Sequence, residues 1–121
     1  MKALEDFAAR LRLQLDCPVI CPGGLYIPHW RSRDYERFFR AVIDRFVRQV
    51  RFIDGWEYST GSVLELSYCL RTGRPAFDAS GIPFDIDTSI IRIEAALKEL
   101  SVMGVDASKL RNAFCVLCKA T

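Results

Sequence analysis

The sequence lacks a long hydrophobic segment. None of its apolar runs approaches the roughly 20 residues that a membrane-spanning helix needs. Its start, MKALEDFAARLRLQL, carries acids and arginines where a signal peptide needs an uninterrupted apolar core. Half of the 121 residues are hydrophobic and 26% are charged, a balance that excludes intrinsic disorder. We therefore expect a single domain in the cytoplasm with no membrane partner.

The sequence is also poor in metal-binding patterns. It has one histidine, His29, and five cysteines, an odd count that favours reduced thiols in the absence of an export signal. Cys17 with Cys21 and Cys115 with Cys118 could suggest a four-sulfur zinc site, but neither pair has the glycine-rich knuckle that normally presents paired thiolates. We therefore expect buried thiols and no metal or other cofactor.

Positive charge is concentrated in one segment. The net charge is only +2, yet seven of the thirteen arginines lie between Arg31 and Arg51. Most of them alternate with apolar residues at helical spacing, as on a solvated helix face, and no nucleic-acid-binding motif accompanies them. The pattern favours a solvated face over polynucleotide binding.

Five segments repeat apolar residues at intervals of three and four, which predicts amphipathic helices. They cover residues 3–15, 32–50, 61–72, 87–103 and a last segment that starts at 106. Gly73 is predicted to end the third helix in a left-handed conformation. Ser32 is predicted to cap the second helix, and Asp87, Thr88 and Ser89 are candidate caps of the fourth.

Three short apolar runs between these helices predict buried strands, at 17–21, 50–54 and 75–79. Helices that alternate with such strands indicate a doubly wound parallel sheet, a three-layer α/β fold of the flavodoxin or Rossmann type. In such folds ligands bind at the carboxyl ends of the strands. Here those ends are residues 22–30, 54–61 and 78–81.

Glu65 stands among apolar residues near the start of the third helix. Ser62 and Glu65 fit a capping box, in which the glutamate reaches back to the serine amide and has only a structural role. Alternatively, Ser59 or Thr60 caps the helix one turn earlier, and Glu65 faces a partly dry cleft. There its pKa can be tuned and its carboxylate can attack a sugar carbon. The sequence leaves both interpretations open.

A motif around Glu65 resembles a known family. Residues 54–65 read D-G-W-x-x-S-x-G-x-x-x-E, which resembles the signature of the nucleoside 2-deoxyribosyltransferase-like superfamily, especially its small members of unassigned function. The order of VICPG, Trp30 and RTGRPAF is also similar, so the resemblance covers about residues 4–80. Residues 87–119 would form a helical C-terminal extension.

The resemblance implies a chemistry. The glutamate that corresponds to Glu65 would displace the base from the anomeric carbon of a nucleoside or nucleoside 5′-monophosphate and leave a glycosyl ester. Ser59 would contact the 5′-phosphate, and Asp54 would either hold sugar hydroxyls or only shape its turn. Members commonly build their sites across a homo-oligomer. The other residues expected to bind substrate are Gly55, Trp56, Gly61, Ser62, Tyr26 and Ser80. Trp56 could instead only pack in the core, and Ser80 could belong to the site of a neighbouring subunit.

The chain departs from this family at its start, where the usual first strand is missing. A partner chain could supply that strand, the sheet could pair without it, or catalysis could be lost. An inactive nucleotide-binding or assembly module is therefore an alternative to the enzyme. A weaker alternative is an NAD glycohydrolase, since NAD-cleaving domains also use a glutamate on a helix.

Overall fold

A computed structural model describes residues 2–21 and 26–121. In these ranges the chain forms five α-helices, one 3₁₀ helix and two strands, and it divides into two compact units, Met1–Ala41 and Val42–Thr121. None of the helices in these ranges combines the length and apolarity needed to cross a membrane. The elements in chain order are α1 Lys2–Gln14, α2 Ser32–Phe46, β1 Val50–Arg51, the 3₁₀ helix Trp56–Tyr58, α3 Thr60–Thr72, β2 Ala76–Phe77, α4 Ile86–Val102 and α5 Ser108–Ala120.

The prediction of a doubly wound, Rossmann-like sheet is wrong, because the protein is mostly helical. In the described part of the chain the sheet consists of β1 and β2 alone, two residues each, which pair in parallel with Val50 opposite Ala76. Residues 17–21, expected to form the first strand, adopt neither helix nor strand, and Cys17 and Ile20 are exposed. A strand needs a neighbour for its backbone hydrogen bonds, and an apolar run does not supply one.

The predicted strand-end loop at 22–30 is described only from Tyr26 onward, and residues 22–25 lie outside the described ranges. Its last residue, Trp30, packs edge-on against Tyr35 with ring centroids 5.2 Å apart. The backbone N–H of Arg31 donates to Asp34 Oδ2 at 2.8 Å. Asp34, rather than the predicted Ser32, therefore provides the side-chain contact at the start of α2.

The core of the second unit lies where α3, α4 and α5 pack together with the 3₁₀ helix. Leu66 on α3, Ile93 on α4 and Leu117 on α5 are each fully buried. The two C-terminal helices thus complete the core around α3. The buried members are Phe52, Trp56, Val63, Leu66, Ile93, Leu97, Leu110, Ala113 and Leu117.

α3 connects the two parallel strands and therefore positions the candidate site. Because β1 and β2 run in the same direction, the chain must return along α3 before β2 can begin. The first turn of α3 consequently lies at the same edge as the carboxyl ends of both strands. This edge, formed by the ends of β1 and β2 and the start of α3, is called the strand-end edge below.

Both ends of the α3 connection are well defined. Gly73 ends α3 with φ of 72°, which confirms the predicted left-handed position. After β2 the chain reverses through residues 78–82, where the Asp78 carboxylate accepts hydrogen bonds from the backbone N–H groups of Ser80 at 2.8 Å and Ile82 at 3.0 Å. The N–H of Phe84 then donates to the carbonyl of Ala76 at 3.0 Å.

Candidate active site at the start of the third helix

The start of α3 is capped by Ser59. Its backbone is extended, with φ of −101°, and its Oγ accepts a hydrogen bond from the Ser62 amide at 3.2 Å. The helix begins at Thr60, so Glu65 lies in the second turn. The Ser62 amide is already used by Ser59, and the capping box between Ser62 and Glu65 is not formed. The capping-box interpretation of Glu65 is therefore wrong.

Glu65 is a half-buried carboxyl group on a largely buried stretch of helix. Within the described ranges it makes no hydrogen bond and no ion pair. Its helical neighbours Leu66 and Cys69 are fully buried. Burial raises the pKa of Glu65 from 4.5 to about 7, because no partner stabilises the charged form. Close to neutral pH the group can exist as a carboxylate nucleophile or as a protonated acid.

The Cys69 thiol lies one helical turn after Glu65 on the same element. Burial, followed by the charge of Glu65, raises the pKa of Cys69 to about 11. A thiol with such a pKa stays protonated at neutral pH and is a poor nucleophile. Of this pair, Glu65 is therefore the group that changes its ionisation near neutral pH.

The D-G-W segment turns the chain from β1 into the 3₁₀ helix. Asp54 is exposed, and Gly55 adopts a left-handed conformation with φ of 89° immediately before Trp56. Trp56 is only 3% exposed, and its ring centroid lies 4.9 Å from that of Phe84. Its ring is thus part of the core, and it has no free face on which a base could stack.

The first turn of α3 brings together the predicted anion contacts. Ser59, Gly61 and Ser62 lie within four consecutive positions, and Gly61 is exposed. The N–H groups of Thr60 and Gly61 have no acceptor in the described part of the chain, as is usual for a helix start. Such groups can receive an anion.

Two predicted binding residues lie outside this stretch. Tyr26 belongs to the first unit and is 78% exposed. Ser80 lies in the exposed turn after β2, with its backbone N–H bonded to Asp78. Asp54, Gly55, Ser59, Gly61, Ser62 and Glu65 thus lie in one continuous segment of the chain, and Ser80 lies in the turn that follows the second strand.

Sequence reasoning missed two charged residues beside this segment. The Nε atom of Arg51 and the Oε2 atom of Glu57 are buried without a hydrogen-bond partner. Arg51 lies in the predicted strand 50–54 and is the last residue of β1, but the sequence pattern does not single it out as a candidate site residue. Its position in the apolar run VRFID was the available signal. For Glu57, the sequence pattern gave no signal.

A separate depression of about 390 Å³ lies near the start of α5 in the second unit. It is lined by Tyr58, Thr60, Leu100 and residues 105–110, and it includes none of the predicted site residues. At its rim the Tyr58 hydroxyl donates to Glu99 Oε2 at 2.5 Å, a bond that raises the pKa of Tyr58. In the described ranges no three histidine, cysteine or acidic side chains are grouped so that they could hold a metal ion.

Comparisons of the chain with family models, with curated proteins and with solved structures found no match.

Proposed function

We propose that the protein cleaves or transfers the N-glycosidic bond of a nucleoside or nucleoside 5′-monophosphate, with Glu65 as the nucleophile. The observation that carries this proposal is the placement of Glu65. It is a half-buried carboxyl group with a pKa of about 7 and no partner in the described ranges, and it lies in the second turn of a helix that starts at the strand-end edge. A buried, unpaired carboxyl group destabilises a fold, and function is a common reason for keeping one.

The chemistry follows from a carboxylate at a sugar carbon. In the ionised form, Glu65 forms a bond to the anomeric carbon while the carbon–nitrogen bond to the base breaks, and the base takes a proton from solvent. Water or a second base then attacks the same carbon and releases the carboxylate. Two displacements at one carbon retain its configuration.

The neighbouring polar groups fit a sugar phosphate. The Ser59 hydroxyl and the N–H groups of Thr60 and Gly61 would receive the phosphate at the start of α3. The exposed carboxylate of Asp54 would accept hydrogen bonds from sugar hydroxyls. The cytoplasmic location and the homo-oligomer stay predictions from the sequence.

The test is covalent trapping. A 2-fluoro nucleoside analogue slows release of the ester, so intact-mass measurement should find a glycosyl adduct on the wild type, and peptide mapping should place it on Glu65. Glu65→Ala should give no adduct and no base release, whereas Glu94→Gln, which changes an exposed glutamate on α4, should behave as the wild type. If the wild type leaves nucleosides, their 5′-monophosphates and NAD intact, the enzymatic proposal is wrong.

A second candidate is a nucleotide-binding or assembly module without turnover. The observation that favours it is the reduction of the sheet, within the described ranges, to two strands of two residues each. Thermal unfolding with and without nucleotides, together with mass measurement in solution, separates the two functions. Stabilisation by a nucleotide without product formation would favour the module.

A further inference from the structure

Arg51 lies at the strand-end edge with its side chain held in place by packing. It is the last residue of β1 and stands opposite Phe77, the last residue of β2, so the two side chains leave the sheet on the same face. The guanidinium carbon lies 5.8 Å from the centroid of the Phe77 ring. This contact is a cation–π interaction.

Gly81, in the turn after β2, covers part of the same guanidinium. A Cβ atom at Gly81 would lie 3.4 Å from Nη1 of Arg51 and 3.7 Å from both Cζ and Nη2. These similar distances mean that Gly81 faces the flat surface of the group. With the Phe77 ring and Gly81 close to it, the guanidinium is held in one orientation.

The guanidinium of Arg51 has no bonded partner in residues 2–21 and 26–121. Its side chain makes no hydrogen bond and no ion pair there, and its Nε is buried without a partner. The nearby Asp78 carboxylate already accepts from the amides of Ser80 and Ile82. A buried donor without an acceptor costs free energy, and a bound acceptor would recover it.

We propose that Arg51 binds the phosphate group of the substrate, so that the site takes nucleoside 5′-monophosphates in preference to free nucleosides. This inference rests on the proposed function and selects one of its two substrate classes. Arginine presents paired N–H donors that match the oxygens of a phosphate. The free amides at the start of α3 follow β1 through the 3₁₀ helix and belong to the same strand-end edge.

The experiment measures phosphate binding without turnover. Binding of inorganic phosphate, of adenosine 5′-monophosphate and of adenosine is followed by calorimetry for the wild type and for Arg51→Met, Arg51→Lys and Arg48→Met. Methionine keeps the apolar contact with Phe77 but removes the charge. Arg48 is an exposed arginine outside both strands, and its substitution changes the net charge equally.

Arg51→Met should weaken the binding of both phosphates by about tenfold or more, since hydrogen bonds to charged groups contribute about that factor. Arg51→Lys should retain part of the affinity, and Arg48→Met should bind as the wild type. The wild type should bind the monophosphate more tightly than adenosine. If circular dichroism shows that Arg51→Met does not fold, the phosphate affinity of Arg51→Lys relative to the wild type tests the inference.

Equal phosphate affinity in the wild type and both Arg51 variants would overturn the inference. So would the absence of phosphate binding, or an affinity for adenosine equal to that for its monophosphate. Glu65→Gln should keep phosphate binding. If the wild type binds phosphate through Arg51 but releases no base, the proposed enzymatic function alone is refuted. If the rate of base release is the same in the Arg51 variants and the same with and without the 5′-phosphate, this inference alone is refuted.

Discussion

The Ser62 backbone amide donates to Ser59 Oγ at 3.2 Å, and this bond sets where α3 begins. With Ser59 as the cap, Glu65 is displaced from the helix start into the second turn. There its carboxyl group does not cap the helix, and burial disfavours its charged form and raises its pKa.

Ser59→Ala should lower the free energy of unfolding by about 1 kcal/mol, because the Ser62 amide loses its acceptor. Ser59→Asp keeps a capping oxygen and should restore most of the stability. Urea denaturation of both variants measures the difference. Ser62→Ala is the matched control, since only the backbone of Ser62 takes part in the cap. A loss in Ser62→Ala equal to that in Ser59→Ala would contradict this assignment.

Glu65→Gln should make the protein more stable than the wild type at alkaline pH and not at acid pH. The folded-state pKa of about 7 lies above the ordinary 4.5, so the folded wild type holds its proton more tightly than the unfolded chain. Its stability therefore falls as the pH rises from 4.5 to about 7 and then levels off. The variant has no proton to lose, and the difference should grow by up to about 3 kcal/mol over this range.

Urea denaturation of the wild type and Glu65→Gln from about pH 5 to about pH 8 measures this growth. Glu94→Gln, at an exposed position on α4, is the control and should show little pH dependence relative to the wild type. A difference between Glu65→Gln and the wild type that is the same at every pH would mean that the carboxyl group of Glu65 is not desolvated.

Trp56→Ala should destabilise the protein by about 3–5 kcal/mol, because the indole fills the core beside Phe52 and Phe84. Trp56→Phe keeps an aromatic ring and should cost less. Because the ring of Trp56 is almost fully buried, Trp56→Phe should leave nucleotide affinity unchanged. A large loss of affinity in a folded Trp56→Phe would show instead that the indole contacts the base.

Leu117→Ala should destabilise the second unit by about 2–5 kcal/mol, since Leu117 is fully buried in the core that includes Leu66 on α3. Val116→Ala on the same helix removes a side chain that is 41% exposed, and it should change stability by less than about 1 kcal/mol. If denaturation shows similar decreases in the free energy of unfolding for the two variants, the packing of α5 against α3 is contradicted.

The helices could be predicted because their signals are local. Apolar spacing located all five described helices, and Gly73 ended α3 as expected. Caps were less predictable, since several hydroxyls or carboxylates compete within a few residues. Asp85, whose carboxylate accepts from the Thr88 amide, caps α4 in place of the predicted candidates.

The sheet could not be predicted, because strand pairing depends on residues far apart in sequence. The run at 17–21 resembled the run at 50–54 in its apolar character, yet only the latter has a partner, through Val50 and Arg51. The surroundings of Arg51 could not be predicted for the same reason. Its contacts with Phe77 and Gly81 arise only after the two strands pair.

The pairing of β1 with β2 also has a kinetic consequence. The amides of Val50 and Phe52 donate to the carbonyls of Pro75 and Phe77 across the whole α3 connection. Such long-range contacts require closure of a long loop and form late in folding, after local helices. The edge that orients Arg51 should thus be among the last parts of the molecule to assemble, and hydrogen exchange during refolding should protect the amide of Phe52 later than those in the middle of α3.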